Sequence, residues 1–179
     1  MKKLIFIAFL LCSTKHLLAQ KDTIHLKEIA RINKNVVTDR APQALYFQIA
    51  GSGPFLSVNY DRRFQKKLNG FGFAAGLGYF GIQGVSIFSI PVSLNYLIGH
   101  NTHFFEFAAG TTFVSAKSTD IFGTGSTSSE SGLIYHLNIG YRYQPTKGGF
   151  FFRGGYSPLF ASGAGGPQQS IYLGFGHNF

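Results

Sequence analysis

The stretch SIYLGFGHNF, from Ser170 to Phe179, decides the fold of this chain. In an extended strand the apolar positions of this stretch share one side: Ile171, Leu173, Phe175 and Phe179. The opposite side carries small or polar residues and one tyrosine: Tyr172, Gly174, Gly176 and Asn178. Because successive side chains of a strand point to opposite faces, this alternation predicts a strand with one face against an apolar medium.

The composition favours the same kind of strand throughout the chain. Charged residues make up 13% of its 179 residues, about half the share usual in soluble domains. Aromatic residues make up 16%, as 20 Phe and 9 Tyr without Trp, and there are 23 Gly. Small residues on one face and bulky apolar residues on the other are typical of a thin-walled barrel with an apolar outer surface. The length indicates one domain.

The first residues have the pattern of a secretory signal peptide. Lys2 and Lys3 precede an apolar run from Leu4 to Cys12, which is too short for a membrane-spanning helix. We predict cleavage after Ala19, so that residues 1–19 are a signal peptide. The polar residues 20–43 are then a periplasmic N-terminal segment, and the barrel spans 44–179.

The net charge of +9 raises the question of nucleic acid as a partner. The basic residues do not form a helical stripe, since many lie in short turns, such as Arg62, Arg63, Lys66, Lys67 and Lys147. We therefore expect no nucleic-acid partner, and we expect basic residues to meet lipid phosphates instead.

Segments with period-two alternation recur along the chain, separated by turn signals. They predict eight strands, at about 44–51, 55–64, 70–80, 85–97, 103–114, 132–143, 149–156 and 170–179. An even number suits an antiparallel barrel, and closure leaves no free edge. Pro91 lacks an N–H group and should leave one gap in the ladder.

The connections between these strands alternate in length. Short ones are predicted at 65–69, 98–102 and 144–148, and long ones at 115–131 and 157–169. In bacterial barrels the short turns are periplasmic and the long loops extracellular. The Ser-, Thr- and Gly-rich stretch 115–131 is predicted to be a mobile loop.

The same alternation points five charged side chains into the barrel. They are Asp61, Arg63, Glu106, Arg142 and Arg153. Charges in a low-dielectric lumen must pair, so we predict a packed polar network of ion pairs and hydrogen bonds. A narrow gated pore stays open as an alternative, whereas the interior of eight strands is too small for a wide channel.

Over roughly residues 44–179 the chain resembles the small eight-stranded bacterial outer-membrane barrels, the OmpA transmembrane-domain and OmpX type. The resemblance rests on the alternation, the loop lengths and the terminal Phe179. It implies an all-β, eight-stranded antiparallel up-and-down transmembrane β-barrel in the cell outer membrane, monomeric and in contact with outer-membrane lipid.

The final strand is similar to the signal that the barrel-assembly machinery recognises in such proteins. The matching positions are Tyr172, Leu173, Phe175 and Phe179. The resemblance therefore implies this machinery as a partner during biogenesis.

The sequence offers little for catalysis. Some eight-stranded barrels modify lipid A with a serine and a histidine near the outer rim, but alternation turns His136 inward, without a partner serine at an obvious spacing. His100, His103 and His177 belong near the short turns. Neither a phosphate-cradling loop nor His or Cys at ligand spacing is present, so we expect no enzyme, cofactor or metal.

A soluble lipocalin-like barrel is the competing fold. It would place the Phe-rich face around a ligand cavity and the charged face in solvent. Because that face carries too many large apolar residues for one cavity, we expect the opposite arrangement. The expected function is a structural or surface-interaction protein, with a lipid-modifying enzyme or a narrow pore as alternatives.

Overall fold

A computed structural model of the chain describes residues 40–53, 55–119, 127–161 and 166–179. The predicted signal peptide lies outside the described residues, as do positions 20–39 of the predicted N-terminal segment. Eight strands are present in the described part: β1 Gln43–Ile49, β2 Leu56–Arg63, β3 Gly70–Ile82, β4 Val85–His100, β5 His103–Thr119, β6 Thr127–Tyr143, β7 Gly149–Ala161 and β8 Gln168–Asn178.

Each strand pairs antiparallel with its neighbours in sequence, and β1 pairs with β8 to close the barrel. The predicted all-β eight-stranded fold is therefore confirmed. Gln43 and Phe179 seal the seam between β1 and β8 with two backbone hydrogen bonds, whose N···O distances are 3.1 and 2.9 Å.

The two ends of the barrel differ in their connections. We call the end with connections 64–69, 101–102 and 144–148 the turn end, because β2–β3, β4–β5 and β6–β7 are joined there. The opposite end, the loop end, carries the connections after β1, β3, β5 and β7. The β3–β4 hairpin closes through Gln83 and Gly84, which both have positive φ, as the tight turns that match strand twist require.

Side chains separate by face as the alternation predicts. The outer surface carries large exposed apolar residues on every strand, such as Phe71, Leu94 and Leu173, which are 62%, 59% and 46% exposed. The inner face carries buried polar and charged residues. This distribution is the reverse of a lipocalin-like barrel and excludes that alternative.

Prolines interrupt the ladder at two places. The β3–β4 pairing is broken between Ala75↔Val92 and Gly78↔Ser89, a gap that includes Pro91, as predicted. The β6–β7 pairing is broken between His136↔Leu159 and Ile139↔Tyr156, beside Pro158. The missing N–H group of proline explains both gaps.

The predicted long loop at 115–131 is wrong at both of its ends. β5 extends to Thr119 and β6 begins at Thr127, and the two strands pair residue by residue up to Thr119↔Thr127. Likewise β7 continues to Ala161, past the predicted limit of 156. The Ser and Thr residues of 115–119 and 127–131 resemble loop composition, but cross-strand backbone pairing holds them extended. No helix among the described residues is long and apolar enough to cross a membrane.

Candidate functional site

The lumen half at the turn end gathers all five predicted charges. Asp61 and Arg63 lie at the end of β2, Glu106 near the start of β5, Arg142 at the end of β6 and Arg153 near the start of β7. Each of the five side chains is at most 1% exposed. Four strands thus deliver charged groups to one level of the barrel.

Asp61 is the centre of this cluster. Its carboxylate accepts hydrogen bonds from Arg63 Nη2 at 3.0 Å and lies 2.8 Å from Arg142 Nη2. Asn95 Nδ2 donates to Asp61 Oδ2 at 2.6 Å, and Arg63 also donates to the Asn95 side-chain oxygen. One carboxylate therefore holds two guanidinium groups and an amide from three different strands.

Glu106 is the second anion of the cluster. Its Oε1 lies 3.3 Å from Arg142 Nη1 and 3.2 Å from Arg153 Nη2. With the Asp61 contacts this gives an alternating series, Arg63–Asp61–Arg142–Glu106–Arg153, with cations at both ends. We call this series the ion chain. Its formal charge is +1, because three arginines face two carboxylates.

Aromatic rings lie against two arginines of the ion chain, Arg153 and Arg142. The Arg153 guanidinium lies over the rings of Tyr46 and Tyr172, at 5.3 and 4.9 Å from their centroids, and donates to the Tyr46 hydroxyl at 2.5 Å. The Arg142 guanidinium lies 4.7 Å from the centroid of Phe151. Cation–π contact in a desolvated site stabilises the positive charge that the carboxylates leave unpaired.

A small apolar cluster lies at the turn end of the lumen, next to the ion chain. Leu68 of the β2–β3 turn, Leu97 of β4 and Phe104 of β5 are at most 2% exposed and pack together. Their side chains occupy the lumen between the charged groups and the solvent at that end.

The lumen half toward the loop end contains uncharged polar residues instead. Residues 51–53 of the β1–β2 connection are buried. Gln48 Nε2 donates to Ser52 Oγ at 2.6 Å, and the Thr112 hydroxyl donates to the Ser52 carbonyl. Residues 51–53 therefore fold into the loop end of the lumen.

His136 and its neighbours complete this uncharged half. His136 is 1% exposed, and its Nδ1 lies 3.4 Å from Thr112 Oγ1. Ser157 Oγ donates to Asn138 Oδ1 at 2.7 Å. His136 thus faces a threonine inside the lumen, whereas His100, His103 and His177 are exposed at the turn end. Among the described residues, no three His, Cys, Asp or Glu side chains are grouped as metal ligands.

The predicted assembly-signal residues separate between the two faces. Leu173, Phe175 and Phe179 lie on the outer surface and are 46%, 44% and 41% exposed. Tyr172 is 1% exposed and lies in the lumen beside Arg153. Any recognition of the folded strand from outside can therefore reach the first three residues only, and Tyr172 contributes to the packing of the ion chain.

Sequence alone did not identify Asn95, Tyr46 or Phe151 as members of the charged cluster. Alternation places all three inside, but their roles depend on pairing register. Asn95 lies opposite Gly72 and Ala108, two small residues that leave room for the Asn95 amide and the Arg63 guanidinium. A large polar residue between small inward-facing neighbours on both adjacent strands is the signal that could have found it.

No family model matches this sequence, and a search of curated proteins finds no match. Among solved structures, the chain is similar to the N-terminal β-barrel domain of Pseudomonas aeruginosa OprF, with 14% identity and a TM-score of 0.55. That alignment covers 80% of this chain and 99% of the OprF domain. Neisserial surface protein A is also similar, with 16% identity, a TM-score of 0.47, and 77% and 92% of the two chains covered. The likeness to the OprF domain bears out the fold that the sequence predicted.

Proposed function

We propose that the protein is an outer-membrane β-barrel that does not conduct ions and that presents its loop-end hairpins at the cell surface. The observation that carries this proposal is the combination of an apolar outer surface with a filled polar lumen. Exposed apolar patches of this extent are rare on soluble monomers. Outer-membrane barrels carry such a band where they meet lipid.

The filled lumen supports a role that does not involve transport. From the turn end inward, the cluster of Leu68, Leu97 and Phe104 is followed by the ion chain, then by the uncharged polar residues, and finally by residues 51–53. Ions could pass through the barrel only if these layers of side chains separated. The alternative of a narrow pore is therefore the less favoured one.

The β5–β6 hairpin extends past the end of the β6–β7 pairing, and this extension supports a surface-interaction role. The β6–β7 pairing begins at Ile134, so residues 127–133 of β6 pair with β5 alone among the described residues. These residues are exposed and are mostly Ser, Thr and Gly with Glu130. If the turn end is periplasmic, as in other bacterial barrels, this hairpin extends beyond the cell surface.

The positions of the histidines argue against an enzyme that modifies lipid. Enzymes that act on membrane lipid need their catalytic groups at the lipid face, and His136 is 1% exposed inside the lumen. The exposed histidines lie at the turn end, opposite the proposed surface hairpins. We therefore propose a non-enzymatic role.

Cell fractionation, gel migration and single-channel recording test the proposal together. We expect the protein in the outer membrane, a shift in migration between unheated and boiled samples, and no discrete conductance in planar bilayers. A Ser129→Cys variant should react with a membrane-impermeant maleimide on intact cells, whereas Lys147→Cys at the turn end should react only after lysis. A soluble periplasmic monomer would refute the membrane location, and steady channel openings would refute the non-conducting role.

The barrel-assembly machinery remains the proposed partner in biogenesis. Phe179 is an exposed outer residue whose backbone closes the seam with Gln43. A Phe179→Asp variant places a charge at the membrane interface and should reduce the amount of folded protein in the membrane. The Ser118→Asp variant, on an exposed strand position at the loop end, is the control. Normal folded levels of Phe179→Asp would show that this residue is no assembly signal.

A further inference from the structure

An apolar groove crosses the outer surface of β3 to β6. Its volume is about 330 Å³, and its lining includes Phe71, Leu94, Tyr96, Phe107, Ala109 and Leu137. Ala109 is its smallest outward-facing side chain and lies in register with Leu94 and Leu137 on the two neighbouring strands. Because this small residue lies between larger ones, the apolar surface is recessed at Ala109.

The groove ends at an aromatic pair toward the turn end. Phe71 and Tyr96 lie opposite each other in register, with ring centroids 4.7 Å apart. Phe71 is the second residue of β3, directly after the β2–β3 turn. That turn contains Lys66, which is exposed, and Lys67, which is half-buried, and we call these two residues the basic turn.

The basic turn is held in place by the barrel. Leu68 is anchored in the buried cluster at the turn end, and Phe64 N–H donates to the Phe71 carbonyl at 3.0 Å. Arg63 Nη1 donates to the Gly70 carbonyl at 3.2 Å. The two lysines are therefore displayed on an ordered turn, which lowers the entropic cost of binding an anion.

The surrounding charges favour an anion at this position. Arg62 and Lys147 are also exposed at the turn end, and His100 and His103 face each other at the end of the β4–β5 hairpin. Among the described residues, Glu130 is the only exposed acid, and it lies on the β5–β6 hairpin at the loop end.

We propose that the groove and the basic turn bind one anionic glycerophospholipid, with an acyl chain in the groove and the phosphate beside Lys66 and Lys67. This inference rests on the proposed membrane location. The lipid belongs to the leaflet at the turn end, because the basic turn and the Phe71–Tyr96 pair of the groove both lie at that end. Lysines near a membrane surface attract anionic lipid headgroups.

Native mass spectrometry of the folded barrel, titrated with phosphatidylglycerol or phosphatidylcholine of the same acyl chains, tests the proposal. We expect tighter binding of phosphatidylglycerol. The Lys66→Gln/Lys67→Gln variant should lose about thirtyfold in phosphatidylglycerol affinity, at the usual contribution of a lysine near an anionic surface. Lys117→Gln, the same change at the loop end, should leave the affinity unchanged.

The groove itself is tested by filling it. Ala109→Phe should weaken binding of both lipids, whereas Ala75→Phe, an outward-facing change on β3 outside the groove, should not. Equal affinity for the two lipids in the wild type, or equal losses in the basic-turn variant and Lys117→Gln, would overturn the inference.

Two checks separate this inference from the proposed function. The shift in migration between unheated and boiled samples shows that each variant is folded, and the single Lys66→Gln and Lys67→Gln changes replace the double variant if it does not fold. A wild type that fails to insert into vesicles refutes the proposed function and this inference with it. A wild type that inserts without preferring phosphatidylglycerol refutes this inference alone.

Discussion

The two halves of the lumen are filled by different kinds of side chain, charged in one half and uncharged in the other. Toward the turn end, five buried charges form the ion chain. Toward the loop end the described part of the lumen holds Gln48, Thr112, His136, Asn138 and Ser157, and no buried carboxylate or guanidinium is among its described residues. A buried charge that loses its partner costs more free energy than a buried neutral group that loses one hydrogen bond. In this lumen the charges are also paired across β2, β5, β6 and β7. The charged half should therefore tie strands together more strongly and should be more sensitive to substitution.

The largest expected effect is that of Asp61→Asn. The change keeps the shape of the side chain but leaves Arg63, Arg142 and Arg153 facing Glu106 alone. We expect the free energy of unfolding to fall by roughly 3–5 kcal/mol, the usual cost of leaving a buried charge uncompensated. Urea unfolding of the barrel in lipid vesicles measures it, with the outward-facing Arg62→Gln change on the same strand as control. A loss as small as that of the control would mean that the ion chain does not stabilise the barrel.

The second prediction concerns the alternation of cations and anions along the ion chain. Arg142→Met leaves Arg63–Asp61 and Glu106–Arg153 as two balanced pairs, whereas Glu106→Gln leaves three cations with one anion. We therefore expect Arg142→Met to be less destabilising than Glu106→Gln, by roughly 2 kcal/mol in the same unfolding assay. The double variant should lose less than the sum of the two single losses, because the residues are in contact. Additive losses, or a reversed order, would contradict the alternating arrangement.

A third prediction uses two glycines of β6, Gly140 beside Tyr172 and Gly132 in the exposed part of the β5–β6 hairpin. A methyl group on Gly140 would overlap the Gly154 carbonyl and the Tyr172 hydroxyl, whereas one on Gly132 would meet nothing within 4 Å. Gly140→Ala should lower the free energy of unfolding by roughly 1–3 kcal/mol through overpacking, and Gly132→Ala should leave it unchanged. Thermal unfolding followed by circular dichroism provides the comparison. Equal stability of both variants would show that the charged half is loosely packed.

The smallest effect is expected in the uncharged half. Thr112→Val removes the hydroxyl that donates to the Ser52 carbonyl, so the free energy of unfolding should fall by about 1 kcal/mol. The β1–β2 connection should also become easier to cleave by protease at residues 51–53. The exposed Thr119→Val change on the same strand is the control. A loss as large as that of Asp61→Asn would erase the distinction between the two halves.

The sequence predicted the direction of these side chains better than their partners. Alternation alone turned Asp61, Glu106 and Arg142 inward, because a strand has no other period. The contact between Asp61 and Arg142 spans the lumen between β2 and β6, and no local pattern encodes which residues meet at one level of a barrel. Strand stagger sets that level, and it emerges only when all eight strands are paired.

Local sequence patterns also failed to predict where some strands end. Residues 115–119 and 127–131 have the composition of a loop, and only their register with one another shows that they are extended. The inward fold of residues 51–53 escaped prediction as well, since it depends on a threonine from β5 reaching a carbonyl of the β1–β2 connection.

The seam between β1 and β8 has a consequence for the order of folding. Seven of the eight strand pairings join neighbours in sequence, but the seam joins two strands with the whole of β2 to β7 between them. Local hairpins form quickly, and the distant pairing carries the largest loop-closure cost. Before it forms, Gln43–Ile49 and Gln168–Asn178 are two open edges, and each unpaired N–H or C=O group would be costly in hydrocarbon. An open sheet therefore has no stable place inside a bilayer. For the proposed outer-membrane location this means that joining of the seam and entry into lipid occur as one event, unless a strand of another protein covers the edge first.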